Sequence, residues 1–356
     1  MPISSRNLTL SQSINEALFL SMKKYKNVVL IGLGVDDPKG IFGTTKGIKK
    51  YFKKNRVFDF PTAENAMTGI AIGSSLVGIR PVITHQRVEF SLLSIEQIFN
   101  QAAKWFFMSG GKKSVPLTIR LIIGRGWGQG PQHSQSLESI FAHIPGLKVI
   151  SLSTPYNAKG LLIASIKDPN PVIIFEHRWL HDIRGSVPTK NYNIDLGKAK
   201  ILKKGKHITL ISSSYMILEC LRASKILKDY SIDAEVVDIQ SLRPLDINTI
   251  FNSVKKTKKA IIVDNGGMNF GISSEIIAKI YEKLSIKEKS KFNLSRLGLT
   301  DNPIPSTRKL AKYCYPNYLN ILKSVEKMLN KKFHNIQRYK NTLPSDQPNK
   351  NFMGPF

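Results

Sequence analysis

The sequence has few cysteines, few acidic residues and no long apolar segment. Its two cysteines, Cys220 and Cys314, are too few for a disulfide framework and indicate a reducing, cytoplasmic setting. No run of about 18 uncharged apolar residues occurs, which predicts that no segment spans a membrane. The N-terminal segment lacks a basic start, a long apolar stretch and a small-residue cleavage site, so we expect no signal peptide.

The shortage of acidic residues gives the chain a large positive charge. It has 53 Lys and Arg against 25 Asp and Glu, a formal net charge of +28. The lysines are spread along the chain among Ile and Asn, without zinc-ligand spacing, a recognition helix or an RNA-binding aromatic strand. We therefore expect no nucleic-acid partner, and an acidic protein partner is the more natural use of the charge.

Short apolar runs alternate with helical patterns along the 356 residues. Continuous apolar runs such as 28–32 and 172–175 are typical of strands buried on both faces. The alternation predicts an α/β fold with two parallel-sheet, three-layer domains. We expect a first domain over 1–185, a linker over 186–200, a second domain over 201–332 and a loosely held polar tail over 333–356.

The segment 56–82 combines a strand, a break at Pro61 and a small-residue helix that begins near Glu64. We expect Thr62 to cap the helix and Glu64 to lie in its first turn, where a carboxylate suits the helix dipole. Because the residues after Glu64 are small or apolar through Val77, the helix is expected to be buried all round. Ligands bind past the carboxyl ends of such strands, so Glu64 is a candidate site residue. The alternative is that it only stabilises the dipole.

A second candidate, His133, follows a glycine-rich loop at the end of a predicted strand. A histidine in such a loop can move a proton at a substrate. A lone histidine is more often structural than catalytic, and the residue pattern by itself leaves that alternative open.

Several motifs together resemble one family. The resemblance is carried by the segments AENAMTGIAIGSSLVGIRPV, IEQIFNQAAKWFFMSGG, VPLTIR and PQHSQSLESIFAHIPGLKVISLSTPYNAKGLLIASIKDPNPVIIFE. In order and spacing they are similar to the β subunit of E1 in the 2-oxo acid dehydrogenases, such as the pyruvate and branched-chain enzymes. The similarity covers roughly residues 8–330. It implies a transketolase-like pyrimidine-binding domain followed by a transketolase C-terminal-like domain. The implied activity is thiamine-diphosphate-dependent oxidative decarboxylation of a 2-oxo acid, with acyl transfer to lipoamide.

The resemblance implies roles for individual residues. Glu64 matches the family's cofactor glutamate, whose carboxyl shares a proton with N1′ of the aminopyrimidine ring. Phe90 matches the aromatic side chain that packs on that ring, and Gln86 is a further cofactor candidate. His133 matches the histidine that faces the substrate, orients its carboxylate and carries a proton during acyl transfer. Without the family, Phe90 is equally well explained by core packing.

The resemblance also implies a potassium site in the first domain, formed mostly by backbone oxygens. By matching position, its ligands come from Leu117, Ser165, Ile166, Asp168 and Asn170. The alternative explanation of this segment is a plain turn that ends a helix.

One family motif is missing from the sequence. There is no GDG followed by the Asn that anchors Mg²⁺ and the diphosphate in this family. We therefore expect the chain to be inactive alone. The implied partner is an α subunit that holds the diphosphate and Mg²⁺, in an α₂β₂ assembly with a β–β contact.

Other residues depart from the family pattern and leave the substrate open. The segment 84–90 is unusually polar, and Trp127 and Gln129 stand in a loop where small residues are usual. The candidates for contact with an anionic substrate are His85, Arg87, Arg125 and Gln132. Solvated surface or contact with a partner is the alternative for these side chains.

The positive charge is a further departure. The E2 domain that docks on this subunit is usually basic and would be repelled, so a lipoyl E2 partner stays open. An alternative enzyme is half of a split transketolase-like thiamine enzyme that acts on a ketose or 2-oxo acid outside a lipoyl complex. A third hypothesis is a non-catalytic basic binding protein that has kept the fold.

Overall fold

The structure is a computed structural model that describes residues 5–52, 55–125 and 129–339. The described residues form two compact units. The first contains the residues through Gly124 together with Ile140–Leu196, and the second contains Arg125–Ser139 together with the residues from Gly197 onward. None of the helices in the described ranges has both the length and the apolarity needed to cross a membrane.

Eight strands belong to the first unit. They are β1 (Ser5–Thr9), β2 (Val28–Gly32), β3 (Val57–Asp59), β4 (Arg80–His85), β5 (Thr118–Ile123), β6 (Lys148–Ser151), β7 (Val172–His177) and β8 (Arg184–Pro188). Six of them lie side by side in the order β6–β7–β5–β4–β2–β3, and all these pairs are parallel. Most of their buried residues are apolar, as the continuous apolar runs predicted. β1 and β8 form a separate antiparallel pair.

Helices separate these strands along the chain. The α-helices are α1 (Leu10–Lys24), α2 (Ile48–Phe52), α3 (Glu64–Leu76), α4 (Trp105–Met108), α5 (Glu138–His143) and α6 (Pro155–Lys167). α1 and α6 begin in capping boxes, in which the side chains of Thr9 and Thr154 accept hydrogen bonds from the first turn. The chain also forms short 3₁₀ turns at Ile41–Gly43, Val88–Ser94 and Arg178–Leu180.

The second unit repeats the α/β pattern. Its strands are β9 (Lys200–Lys203), β10 (Ile208–Ser212), β11 (Ala234–Asp238), β12 (Ser241–Arg243), β13 (Lys259–Gly267) and β14 (Asn293–Leu299). Its helices are α7 (Met216–Leu227), α8 (Ile247–Thr257), α9 (Ile272–Glu282), α10 (Ile286–Lys289), α11 (Arg308–Ala311) and α12 (Tyr318–Leu329). Five strands form a sheet in the order β14–β13–β10–β11–β9, with only β9 antiparallel to its neighbour. The predicted fold class, two α/β sheet domains, is confirmed.

Before α4 the chain forms a π-helix over Gln97–Ala102. Two local predictions are wrong. The predicted linker over 186–200 begins inside β8 (Arg184–Pro188), which pairs with β1. The first residues of the expected tail are docked, since Phe333 is buried and its ring lies 4.5 Å from that of Tyr230. The chain then forms a 3₁₀ turn over Ile336–Tyr339, and the rest of the tail is outside the described residues.

Candidate active site

A cleft in the first unit lies beside the ends of three parallel strands. It contains about 300 Å³ of empty space, counting the part open to solvent. Its walls come from the residues after β2, the residues after β3 and the end of β4, where ligands bind in parallel sheets. The lining residues are Leu33, Phe60, Pro61, Thr62, Ala63, Glu64, Met67, Thr84, His85, Gln86 and Phe90.

Glu64 is the first residue of α3 and is partly buried in this wall. The N-cap residue is Ala63, with φ −154° and ψ 70° and no side-chain hydrogen bond, so the predicted cap by Thr62 is wrong. Thr62 lines the cleft instead. The unpaired N–H groups of the first helical turn favour a negative group at this position. The carboxyl of Glu64 lines the cleft, where it can form a hydrogen bond with a ring nitrogen that enters.

The helix that carries Glu64 is not buried all round. Met67 and Ala71 face the core, but Ile70 is 54% exposed and Val77 is 81% exposed. The expectation of complete burial is wrong because an apolar helix pattern does not say which chain covers each face. An exposed apolar face of this kind indicates a protein contact.

Gln86 and Phe90 follow β4 and line the same cleft as Glu64. The amide nitrogen of Gln86 donates to the carbonyl oxygen of Leu33 at 2.8 Å. That bond leaves the amide oxygen as the atom that Gln86 can offer to a ligand. Phe90, in the 3₁₀ turn Val88–Ser94, adds aromatic surface to the wall. The structure thus brings the three predicted cofactor residues together.

His85 also lines the cleft and is 2% exposed. Burial lowers the pKa of His85 to about 4, so the imidazole is neutral at pH 7. Any contact of His85 with an anionic substrate would then be a hydrogen bond and not a charge pair, and that contact stays a prediction. Arg87 is partly buried, and the described lining of the cleft does not include it. Burial lowers the pKa of Arg87, against the opposing effect of Glu89.

The other predicted substrate residues belong to the second unit. Arg125 is 9% exposed, and its guanidinium carbon lies 4.7 Å from the ring centres of both Tyr215 and Tyr315. These contacts make Arg125 a packed residue, so the alternative of solvated surface is wrong for it, and its contact with an anionic substrate or a partner stays a prediction. His133 is partly buried and Gln132 is exposed. Trp127 lies outside the described residues.

Four of the five predicted potassium ligands lie in or just after the last turn of α6, and Leu117 precedes β5. Several of their oxygens already accept hydrogen bonds. The carbonyl oxygens of Ile166 and Asp168 each accept from Nη1 of Arg80 at 3.0 Å. The carbonyl of Leu117 accepts from the backbone, as does that of Ser165. The arginine thus neutralises the negative end of α6. Arg80 is thus bound to two of the predicted carbonyls, and the potassium site stays a prediction.

The side-chain oxygens of this turn are engaged as well. The carboxylate of Asp168 pairs with the ammonium of Lys148 and accepts from the backbone N–H of Asn170 at 2.9 Å. Across the described ranges, no three or more His, Cys, Asp and Glu side chains are grouped to hold a metal ion.

Sequence analysis missed Asp59, which ends β3. Its carboxylate accepts from the backbone N–H groups of Gly34 and Asp36, at 3.0 and 3.2 Å. These bonds hold the loop that presents Leu33 to the cleft. The signal was available, because Asp59 is a carboxylate at the carboxyl end of a strand.

A buried ion pair behind the cleft was also missed. Arg120 in β5 and Glu176 in β7 are both fully buried and form two hydrogen bonds, of 2.6 and 2.9 Å. Arg120 also donates to the side-chain oxygens of Thr84, at 3.2 Å, and Thr44, at 2.8 Å. Thr84 precedes His85, so the pair supports the strand end that lines the cleft. A charged residue inside each of two apolar runs was the signal in the sequence.

The fold and the cleft define a two-domain, transketolase-like subunit. Residues 6–182 match the family model of the transketolase pyrimidine binding domain, and residues 197–321 match that of the transketolase C-terminal domain. The fold resembles a solved split-gene transketolase, described as an inactive beta4 tetramer. That likeness has a TM-score of 0.74 and 20% identity and covers 92% of this chain and 99% of that one.

Curated relatives narrow the class. The chain is 36% identical to the pyruvate dehydrogenase E1 component subunit beta of Bacillus subtilis, over 90% of this chain and 98% of that protein. It is 39% identical to the acetoin:2,6-dichlorophenolindophenol oxidoreductase subunit beta of the same organism, over 78% of this chain and 85% of that protein. The chain belongs to this family of β subunits of thiamine-dependent oxidoreductases, as the resemblance predicted.

Proposed function

We propose that this chain is the β subunit of an E1 enzyme that oxidatively decarboxylates a 2-oxo acid, such as pyruvate, and passes the acyl group to lipoamide. The observation that carries the proposal is the Glu64 carboxyl at the start of α3, facing a cleft that it shares with Gln86 and Phe90. This donor set fits an aminopyrimidine ring, which needs an aromatic contact and a partner for its ring nitrogen. The chemistry that thiamine diphosphate supplies when bound is the storage of the electrons released on decarboxylation.

The residues of this chain have separate tasks in the proposal. Glu64 holds a proton at its carboxyl, directed at the pyrimidine nitrogen. Phe90 packs against the ring and excludes water from one of its faces, while the fixed Gln86 offers its amide oxygen. His133 orients the substrate and moves a proton at its oxygen during acyl transfer, with Gln132 beside it. Arg87 and Arg125 have no part in these steps.

An α subunit completes the proposed site. Among the described residues of the cleft, none is a basic side chain suited to a diphosphate, because its lining is apolar apart from five polar residues. The exposed face of α3, with Ile70 and Val77, lies on the helix that carries Glu64 and offers a surface for that subunit. Mg²⁺ and the diphosphate are therefore assigned to the α subunit, in an α₂β₂ assembly with a β–β contact.

Three further features of the chain bear on the proposal. Because Arg80 already occupies the carbonyl turn, the proposal includes no potassium ion. Cys220 and Cys314 are both free and buried, which suits the cytoplasm. The net charge of +28 would repel a basic E2 docking domain, so the proposal names no particular lipoyl E2 as a partner.

The test is co-expression with the cognate α chain, followed by decarboxylation assays with an artificial electron acceptor. We expect turnover of pyruvate or a branched 2-oxo acid, with acetoin as the comparison substrate because one relative is named for it. Glu64→Gln is expected to lower kcat by at least about 100-fold while the subunits still assemble. Full activity of Glu64→Gln would contradict the proposal, and so would activity of the chain without its partner.

A further inference from the structure

His85 has a buried polar atom that the chain leaves unpaired. It ends β4, is 2% exposed and lines the same cleft as Glu64 and Phe90. Its Nε2 atom has no hydrogen-bond partner among the described residues. An unpaired buried polar atom is destabilising, so native proteins nearly always provide a partner. In the wall of a ligand cleft, a bound ligand is the natural partner.

The residues on either side of His85 are held by bonds of their own. Oγ1 of Thr84 accepts from Nη1 of Arg120 at 3.2 Å, and Nε2 of Gln86 donates to the oxygen of Leu33 at 2.8 Å. Thr84 also pairs with Arg120 in the parallel ladder of β4 and β5. These contacts fix the backbone before and after His85. The imidazole is therefore presented by a rigid strand end, which is how precise binding groups are held.

The charge state of the imidazole selects the kind of ligand. Burial keeps His85 neutral at pH 7, with one N–H donor and one acceptor nitrogen. Glu64, in the same cleft, makes the site unfavourable for a second carboxylate. A neutral heteroaromatic ring with an amino group suits this pair of side chains better than an anionic substrate does. The aminopyrimidine of thiamine diphosphate is such a ring.

We propose that His85 is a positioning residue for the aminopyrimidine ring of thiamine diphosphate, to which its Nε2 makes a hydrogen bond in addition to the bond from Glu64. This inference rests on the proposed function. It gives the polar segment 84–90 a role in binding the cofactor, whereas the sequence had suggested a role in binding the substrate.

The experiment uses the complex of this chain with its α partner, freed of cofactor by dialysis against a chelator. Isothermal titration calorimetry with thiamine diphosphate and Mg²⁺ then gives Kd. We expect His85→Leu, which keeps apolar volume but no hydrogen bond, to raise Kd about 10-fold. His85→Gln, whose amide nitrogen can reach a similar position, should recover most of that loss. His334→Leu, at an exposed histidine, is the control and should leave Kd unchanged.

The outcomes separate the inference from the proposed function. Unchanged cofactor Kd in His85→Leu, with or without a higher substrate KM, overturns the role of His85. An equal rise of the cofactor Kd in His85→Leu and His85→Gln also overturns it, because binding would then depend on the shape of the side chain and not on its hydrogen bond. If the wild-type complex itself binds no thiamine diphosphate, the proposed function fails instead. If His85→Leu does not assemble, His85→Phe gives the same comparison with Gln.

Discussion

The buried pair of Arg120 and Glu176 offers a quantitative test of how the cleft is supported. Both side chains are fully buried, and two hydrogen bonds join them. Replacing Arg120 by Met leaves the carboxylate of Glu176 buried without its main partner. Breaking a buried pair in this way costs about 3–5 kcal/mol of unfolding free energy.

The pKa of Glu176 shows how strongly folding favours its ionised form. Burial alone would raise the pKa of Glu176, but Arg120, and to a lesser degree His181, lower it from 4.5 to about 2. A difference of this size corresponds to about 3 kcal/mol. Because the pKa is lowered on folding, this contribution is fully present above the ordinary value of 4.5 and is lost as the pH falls towards 2. Arg120→Met removes the main cause of the lowered pKa, so the variant is expected to lose stability at neutral pH.

Calorimetric melting of wild type and variants at pH 7 measures the effect. For a unit of this size, Arg120→Met is expected to lower Tm by about 10 °C. The double variant Arg120→Met, Glu176→Leu should recover much of the loss, because it removes the stranded charge. The control Arg6→Met removes an exposed pair with Glu16 and should cost no more than about 1 kcal/mol. A double variant that shows the plain sum of the two single losses would refute the reasoning.

Three further results are expected. Burial, with a smaller contribution from Asp264, raises the pKa of Glu138 to about 8, so its stabilising contribution is complete below pH 4.5 and is lost as the pH rises through 8. Calorimetry of Glu138→Gln should therefore show a flatter stability curve between pH 5 and 9, and an identical curve would contradict this. Arg80→Ala removes the donor to the carbonyls of Ile166 and Asp168 and should lower Tm. Potassium should raise the Tm of this variant more than that of the wild type, with sodium as control. Equal effects of potassium on both proteins would contradict binding of the ion at these carbonyls. Val77→Lys, at a side chain that is 81% exposed, should weaken association with the α chain at least 10-fold in ultracentrifugation without changing the melting of this chain alone. Unchanged assembly would show that this face is not the interface.

Local patterns were enough to predict the strands that build both sheets. The apolar run 28–32 coincides with β2, because a strand buried on both faces is apolar at every position and is easy to recognise in the sequence. Glu64 was also placed correctly at the start of its helix, since a strand, a proline break and a small-residue run define that corner. Gln86 and Phe90 reach the same cleft because they follow β4, whose carboxyl end lies at the same edge of the parallel sheet as that of β3.

The remaining features depend on information that no local pattern contains. The pairing of Arg120 with Glu176 requires the register of β5 against β7, in which Ile122 lies opposite Glu176. The exposure of Ile70 depends on whether this chain or another covers the helix face. The interruption at Gln97–Ala102 has no proline or glycine to announce it, because a π-helix differs from an α-helix only in hydrogen-bond spacing.

The path of the chain between its two units has a practical consequence. The backbone leaves the first unit after Gly124, joins the second over Arg125–Ser139, returns at Ile140 and leaves again at Leu196. Neither unit is therefore a single contiguous stretch of sequence. Truncation at 196 would remove the neighbours of the strip that bears His133, and a fragment starting at 197 would lack that strip altogether. Recombination that exchanges one unit between related enzymes would have to transfer two separate segments of the gene together. A single crossover cannot exchange one unit alone.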